Sequence, residues 1–271
     1  MIFLGVLVAI VVAVVLFNQR TGLIEQQLMY FPSSVIQNTP ADAGLDYEDV
    51  RLTAEDGTDI HGWFIPGERD ITWLWFHGNA GNIGDRVGLI QELRAETGVS
   101  IFILSYRGYG DSSGSPGESG FYRDAEAARE YLEDHPQVDP DRIVYFGRSI
   151  GSAVAVELAA RRAPAGLVLE SPFPSMRWLA RQVYSWLPVW PFLHEQFPVE
   201  ERASGIEAPA LVIHGSDDEI VPVSGGERVA ETLAGETDMY IVDGAHHNDV
   251  PLVGGPAYYQ RIRDFLDRLE R

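Results

Sequence analysis

Six short apolar runs recur along the chain: TWLWF (72–76), VSIFILSY (99–106), RIVYF (142–146), GLVLE (166–170), ALVIH (210–214) and MYIVD (239–243). Each is nearly uninterrupted, the pattern of a strand covered on both faces. Between them lie longer stretches, such as GFYRDAEAAREYLEDH and SGGERVAETLAG, and AYYQRIRDFLDRLER closes the chain with apolar residues at helical spacing. Strands alternating with helices imply a parallel sheet with helices packed on both faces. YEDVRLTA and TDIHGWFI flank Glu55-Asp56-Gly57 and read as an antiparallel hairpin that opens the sheet. The expected architecture is therefore α/β, a mostly parallel sheet of about eight strands with helices on both faces.

A chain of 271 residues suits one such domain. It holds no cysteine, so disulfides and thiolate metal sites are excluded. Its net charge of −20 argues against a nucleic-acid partner, whose phosphates it would repel. All 20 basic side chains are arginine. An ordinary acidic surface accounts for this balance more simply than salt adaptation does.

The first 17 residues, MIFLGVLVAIVVAVVLF, carry no charged side chain. At about 1.5 Å per residue the run is just long enough for a thin bilayer. No basic residue precedes it and no A-x-A site follows, which disfavours a cleaved signal peptide. The reading is an N-terminal transmembrane anchor over 1–23, followed by the α/β domain over 24–271. Arg20 on the C-terminal flank points to a cytoplasmic domain.

GRSIG, residues 147–151, falls between the predicted strand RIVYF and the predicted helix AVAVELAARR. A G-x-S-x-G match is a weak pattern alone. At a strand-to-helix turn it becomes the pattern of a nucleophile, with glycines where side chains would clash and a helix N-terminus nearby for developing negative charge. A serine nucleophile needs a base and an orienting acid, in the chain order Ser, Asp or Glu, His. GSDDEIVP follows ALVIH, and GAHHNDV follows MYIVD, so acid and histidine candidates sit after strands at the ligand-binding edge of the sheet. Two pairs stay open at this level, Asp217 with Asp218 and His246 with His247. Glu170, ending GLVLE, is an outside candidate for the acid, though a salt-bridge role is its simpler reading.

WLWFHGNAGN places a glycine-rich turn after the first parallel strand. Its amides could hold a tetrahedral oxyanion, and Asn79 and Ile150 are the expected donors. The lysine and Ser/Thr of a nucleotide-binding loop are missing from it. His61, His135, His194 and His214 are scattered with no metal-ligand spacing, so neither metal nor cofactor is expected. Residues 171–205 interrupt the alternation with a stretch rich in Trp, Phe, Tyr and Pro. A short lid is expected there, its Trp178, Trp186, Trp190 and Phe192 lining an apolar substrate pocket.

LMYFP, FHGNAGNIGDR, LSYRGYGDSSGSP, FGRSIGSAVA, SPFPSM, HGSDDEIVP and GAHHND together, in this order, resemble the α/β-hydrolase superfamily. The resemblance is to its small membrane-anchored branch with a serine-aminopeptidase-like hydrolase domain, and it covers nearly the whole chain after the anchor. It implies the α/β-hydrolase fold, with Asp218 as the acid and His247 as the base. His246 stands where that branch commonly has glycine. The implied activity is hydrolysis of a carboxylic ester or thioester, in a lipid-like small molecule or an acylated protein, through an acyl-enzyme. The alternatives are a serine peptidase or aminopeptidase, and a membrane-tethered non-catalytic binding protein on the same fold.

Overall fold

The computed structural model of the protein describes residues 17, 18, 20, 26, 27, 29–183, 190 and 193–270. Eight strands form one sheet: β2 (Glu48–Thr53), β3 (Asp59–Ile65), β4 (Thr72–Phe76), β6 (Ser100–Ser105), β7 (Ile143–Arg148), β8 (Gly166–Glu170), β9 (Ala210–Gly215) and β10 (Thr237–Val242). Two-residue strands β1 (Phe31–Pro32) and β5 (Ala80–Gly81) pair separately in parallel. The main sheet runs in the order β10-β9-β8-β7-β4-β6-β3-β2. Its parallel part spans β10 to β6, while β3 pairs antiparallel with both β6 and β2. The expected opening hairpin is present, with Gly57 at φ 82° in its turn.

Successive residues of a strand point to opposite faces, so each apolar run feeds two cores. Leu74, Phe76, Phe102, Leu104, Tyr145, Leu167 and Leu169 face one core. Trp73, Trp75, Ile101, Ile103, Val144, Phe146 and Val168 face the other. The first is covered by α2 (Glu118–Glu133) and α3 (Ile150–Arg161), through Phe121, Ala125, Ala128, Val154 and Leu158. The second is covered by α1 (Val87–Thr97) and α7 (Val250–Leu269), through Ile90, Leu93, Ile262, Phe265 and Leu266. Each fully buried side chain of this size contributes roughly 1.5–3 kcal/mol, so the double covering makes the sheet a rigid platform.

Three shorter α-helices lie between β8 and β10, α4 (Met176–Val183), α5 (Val199–Ala203) and α6 (Val223–Thr232). The first two belong to the expected lid, residues 171–205, whose two ends are fastened together. The Met176 N–H donates to Gln196 O (2.8 Å) and the Glu200 N–H to Pro174 O (2.9 Å). A reciprocal clasp ties the far end to α2. Glu195 accepts from the Glu118 N–H, and Glu118 accepts from the Gln196 N–H, both at 2.6 Å. Of the expected anchor, only Phe17, Asn18 and Arg20 fall within the described residues. Among the described residues no helix is long and apolar enough to cross a membrane.

Candidate active site

Ser149 stands between β7 and α3 at φ 53°, ψ −119°, a conformation that L-residues rarely adopt. The two glycines of GRSIG explain how the chain tolerates it. A Cβ on Gly147 would lie 2.5 Å from the Gly151 oxygen, and one on Gly151 would lie 2.0 Å from the Phe76 oxygen. The first turn of α3 is therefore pressed against the ends of β7 and β4, which only bare backbone permits. The Ser149 N–H donates to Glu170 O at 2.8 Å, tying the turn to β8. Ile150 is the first residue of α3. Its N–H lies in the helical turn that lacks intrahelical acceptors, where the helix dipole favours an anion.

The loops after β9 and β10 converge on this serine. His247 Nε2 lies 3.1 Å from Ser149 Oγ, and His247 Nδ1 lies 2.7 Å from Asp218 Oδ2. With its Nδ1–H donating to the Asp218 carboxylate, His247 presents an Nε2 lone pair to the serine hydroxyl. Asp218 Oδ1 accepts from the N–H groups of Ile220 (3.0 Å) and Val221 (2.7 Å). His214, fully buried, adds a contact at 3.2 Å to Asp218 Oδ2. Burial alone would raise the Asp218 carboxyl; the hydrogen bonds from His214 and His247, the His247 charge and the Val221 N–H together hold it well below the usual range. The group is thus a carboxylate at neutral pH.

The same geometry separates the two ambiguous pairs. His247 has a side chain 7% exposed, whereas His246 is 57% exposed and pairs with Glu219 at 3.1 Å. Asp217 is exposed and accepts from the Ser216 hydroxyl at 3.0 Å, while Asp218 is buried against His247. Glu170, fully buried, is engaged by other partners. It pairs with Arg148 at 2.9 Å and accepts from the Tyr258 hydroxyl at 2.7 Å.

The sequence matches the family model described as serine aminopeptidase, S33, over residues 68–198, and that of the TAP-like proteins over 173–271. It is 39% identical to an uncharacterized protein of Mycobacterium tuberculosis over 245 residues, covering 89% of this chain and 87% of that one. It is 31% identical to the α/β hydrolase domain-containing protein WAV2 of Arabidopsis thaliana, covering 98% of this chain and 92% of the relative. The chain belongs to the α/β-hydrolase superfamily. Protein bem46 of Schizosaccharomyces pombe is a further relative, 32% identical over 89% of this chain and 85% of its own. In fold, this α/β hydrolase is similar to the Pyrococcus furiosus esterase Pf2001, with a TM-score of 0.74 at 23% identity, covering 89% of this chain and 98% of that one.

The glycine-rich loop of the hydrolase lies against the serine turn, since a Cβ on Gly78 would stand 3.9 Å from Ser149 Cβ. Its shape is set by LSYRGYG. The Tyr106 hydroxyl donates to His77 O and the Tyr109 hydroxyl to Asn79 Oδ1, both at 2.9 Å, while Asn79 Nδ2 donates to Met29 O at 2.5 Å. The Asn79 side chain is therefore engaged, which leaves its backbone N–H as the group it can offer a ligand. His77 is fully buried, with Nδ1 2.7 Å from Gly78 O. Burial and the charge of Arg86 pull it down to about 3, so it stays neutral.

The expected pocket residues divide. Trp178 is partly buried and packs over Gly225 of α6, where an added Cβ would meet its ring at 3.0 Å. Trp190 lies beneath the Arg181 guanidinium, 5.6 Å from ring centre to carbon. Trp186 and Phe192 lie outside the described residues. Sequence reasoning passes over His77, Tyr106, Tyr109 and Arg148 and leaves His214 among the scattered histidines, although each stands inside one of the recognisable motifs.

Proposed function

We propose that this hydrolase cleaves a carboxylic ester or thioester through a serine-bound acyl-enzyme, with Ser149 as nucleophile, His247 as base and Asp218 as orienting acid. The observation that carries the reading is the hydrogen-bond chain from Ser149 Oγ through His247 to Asp218, at 3.1 and 2.7 Å. His247 Nε2 takes the hydroxyl proton as Ser149 Oγ attacks the carbonyl carbon. The carbonyl π pair moves onto oxygen, which the amides of Asn79 and Ile150 receive. As the carbonyl re-forms, the leaving alkoxide or thiolate departs with the proton from His247. A water deprotonated by His247 then releases the acid and restores Ser149.

The substrate class is a lipid-like ester or an acylated protein, supported by the aromatic content of 171–205 and by the apolar run 1–17, read as a tether to a membrane with the domain on the cytoplasmic side. A serine-peptidase reading is favoured by one observation, the match to the serine aminopeptidase model over 68–198. A panel of acyl esters, thioesters and aminoacyl amides separates the two by which bond turns over. The decisive experiment is labelling of the full-length protein by a fluorophosphonate probe, expected in wild type and abolished in Ser149→Ala. Folded wild-type protein that takes up no label would sink the serine-hydrolase reading.

A further inference from the structure

Arg148 and Glu170 occupy paired positions on β7 and β8, one residue before Ser149 and at the strand end that receives its N–H. The Glu170 side chain is fully buried and that of Arg148 is 11% exposed, with Nε 2.9 Å from Glu170 Oε1. The other arm of the guanidinium leaves the pair. Arg148 Nη2 donates to the backbone carbonyl of His247 at 2.9 Å and lies 3.4 Å from Asn248 Oδ1. The remaining Glu170 oxygen accepts from the hydroxyl of Tyr258, a buried residue of α7, the helix that follows the His247 loop.

We propose that Arg148 is a positioning residue, whose guanidinium fastens the loop carrying His247 to the strand end carrying Ser149, with Glu170 and Tyr258 holding that guanidinium in place. The proposal rests on the reading of Ser149 and His247 as nucleophile and base. A buried ion pair is a poor means of gaining stability, because desolvation offsets the attraction and apolar residues of similar volume often serve as well. What an apolar pair cannot supply is a directed donor at the His247 carbonyl. Arginine suits the task because its planar fork can bond a carboxylate on one side and a second acceptor on the other. Ser149 comes from β7 and His247 from the loop after β10, two strands beyond β8 in the sheet. The Arg148 contact joins the two directly, where a displacement of about 1 Å can cost a hundredfold in rate.

The test uses the full-length protein and two kinds of variant. Arg148→Lys keeps a positive charge beside Glu170 but has no second arm for the His247 carbonyl. Arg148→Met/Glu170→Leu removes both charges at similar volume. Three readouts apply: kcat and KM on p-nitrophenyl butyrate, the melting temperature, and the low-field proton resonance of His247 Nδ1–H, identified by its disappearance in His247→Gln. The expected result for folded variants is a kcat lowered by about tenfold to a hundredfold, KM within about twofold, and a resonance broadened or lost. The proposal is overturned if either folded variant keeps the wild-type kcat and resonance. It is equally overturned if the double variant recovers both together with stability, since Arg148 would then be structural. Should wild type not turn over the ester, that result counts against the hydrolase reading alone, and the resonance still decides the role of Arg148.

Discussion

His214 and His247 meet on a single oxygen of Asp218, Oδ2, at 3.2 and 2.7 Å. The His214 imidazole is fully buried, with its Nε2 also 2.9 Å from Val221 O and its Nδ1 against Gly226, where a Cβ would lie only 2.2 Å away. A carboxylate gripped from both sides can turn little, which keeps the His247 ring facing Ser149. The grip also stabilises the ionised form, as the depressed Asp218 value records.

That depression has a defined consequence for acid stability. A carboxyl held lower in the folded than in the unfolded chain contributes stability that is complete above its unfolded value, near pH 4, and is lost as pH falls through the folded value. Asp218→Asn should therefore be less stable than wild type at neutral pH, and the two denaturation curves should approach one another below about pH 4. A gap that stayed constant down to about pH 2 would show that Asp218 is not the linked group.

The adjacent histidines should behave unequally. His247→Ala is expected to lower kcat/KM by about 10⁴-fold or more, the scale of losing the base in a serine triad. His246→Ala removes an exposed side chain whose partner is Glu219 and should stay within about threefold of wild type. Steady-state kinetics on an ester decides the matter, and a reversal of the two effects would transfer the base to His246.

His77 should also report on pH, in a different window. It is held neutral in the fold at about 3, below its ordinary 6.5. Protonation then favours the unfolded chain, so its contribution is complete above about pH 6.5 and is lost as pH falls towards 3. In His77→Asn, which retains a donor for the Gly78 carbonyl, stability should fall less steeply between those limits. Parallel slopes in urea titrations at pH 7, 5 and 4 would refute this.

Away from the site, Asp124 is fully buried and accepts from the Arg107 N–H (2.9 Å) and from Arg107 Nη2 (2.7 Å), while the same guanidinium reaches Asp56 at 2.7 Å. Removing Asp124 leaves the buried Arg107 guanidinium with the partly exposed Asp56 as its counter-charge, at a cost of up to about 3–5 kcal/mol. Asp124→Ala should therefore lower the unfolding free energy by that amount in chemical denaturation. Protein that stays folded should still take up the fluorophosphonate label.

The sheet is legible in the sequence because a strand buried on both faces must be apolar throughout, as in TWLWF and ALVIH, and the hairpin because Glu55-Asp56-Gly57 marks its turn. Ser149 is legible for the same local reason, since its backbone conformation depends on glycines two residues either side. The choices between Asp217 and Asp218, and between His246 and His247, are not local. They depend on which side chain of each loop turns inward across strands β9 and β10. Arg148 is less legible still, because its partners, Glu170 and the His247 carbonyl, are reached only after the chain has crossed the sheet. His214 instead meets Asp218 and Val221 in the loop after its own strand, a contact that no helix or strand periodicity marks. Trp178 looks like a pocket aromatic by composition, and its contact with Gly225 could be known only once α6 is placed beside it.

The fastening of residues 174–176 to 196–200, with the Glu118–Glu195 clasp behind it, has a bearing on how this hydrolase could diversify. Both ends of the intervening stretch are set by backbone hydrogen bonds that do not depend on what lies between them. Loop-closure entropy grows only slowly with length, each doubling adding about 0.6 kcal/mol. Changes of length within the stretch are thus compatible with an unchanged serine turn and sheet, and on the proposed acyl-enzyme reading they would alter which acyl groups enter.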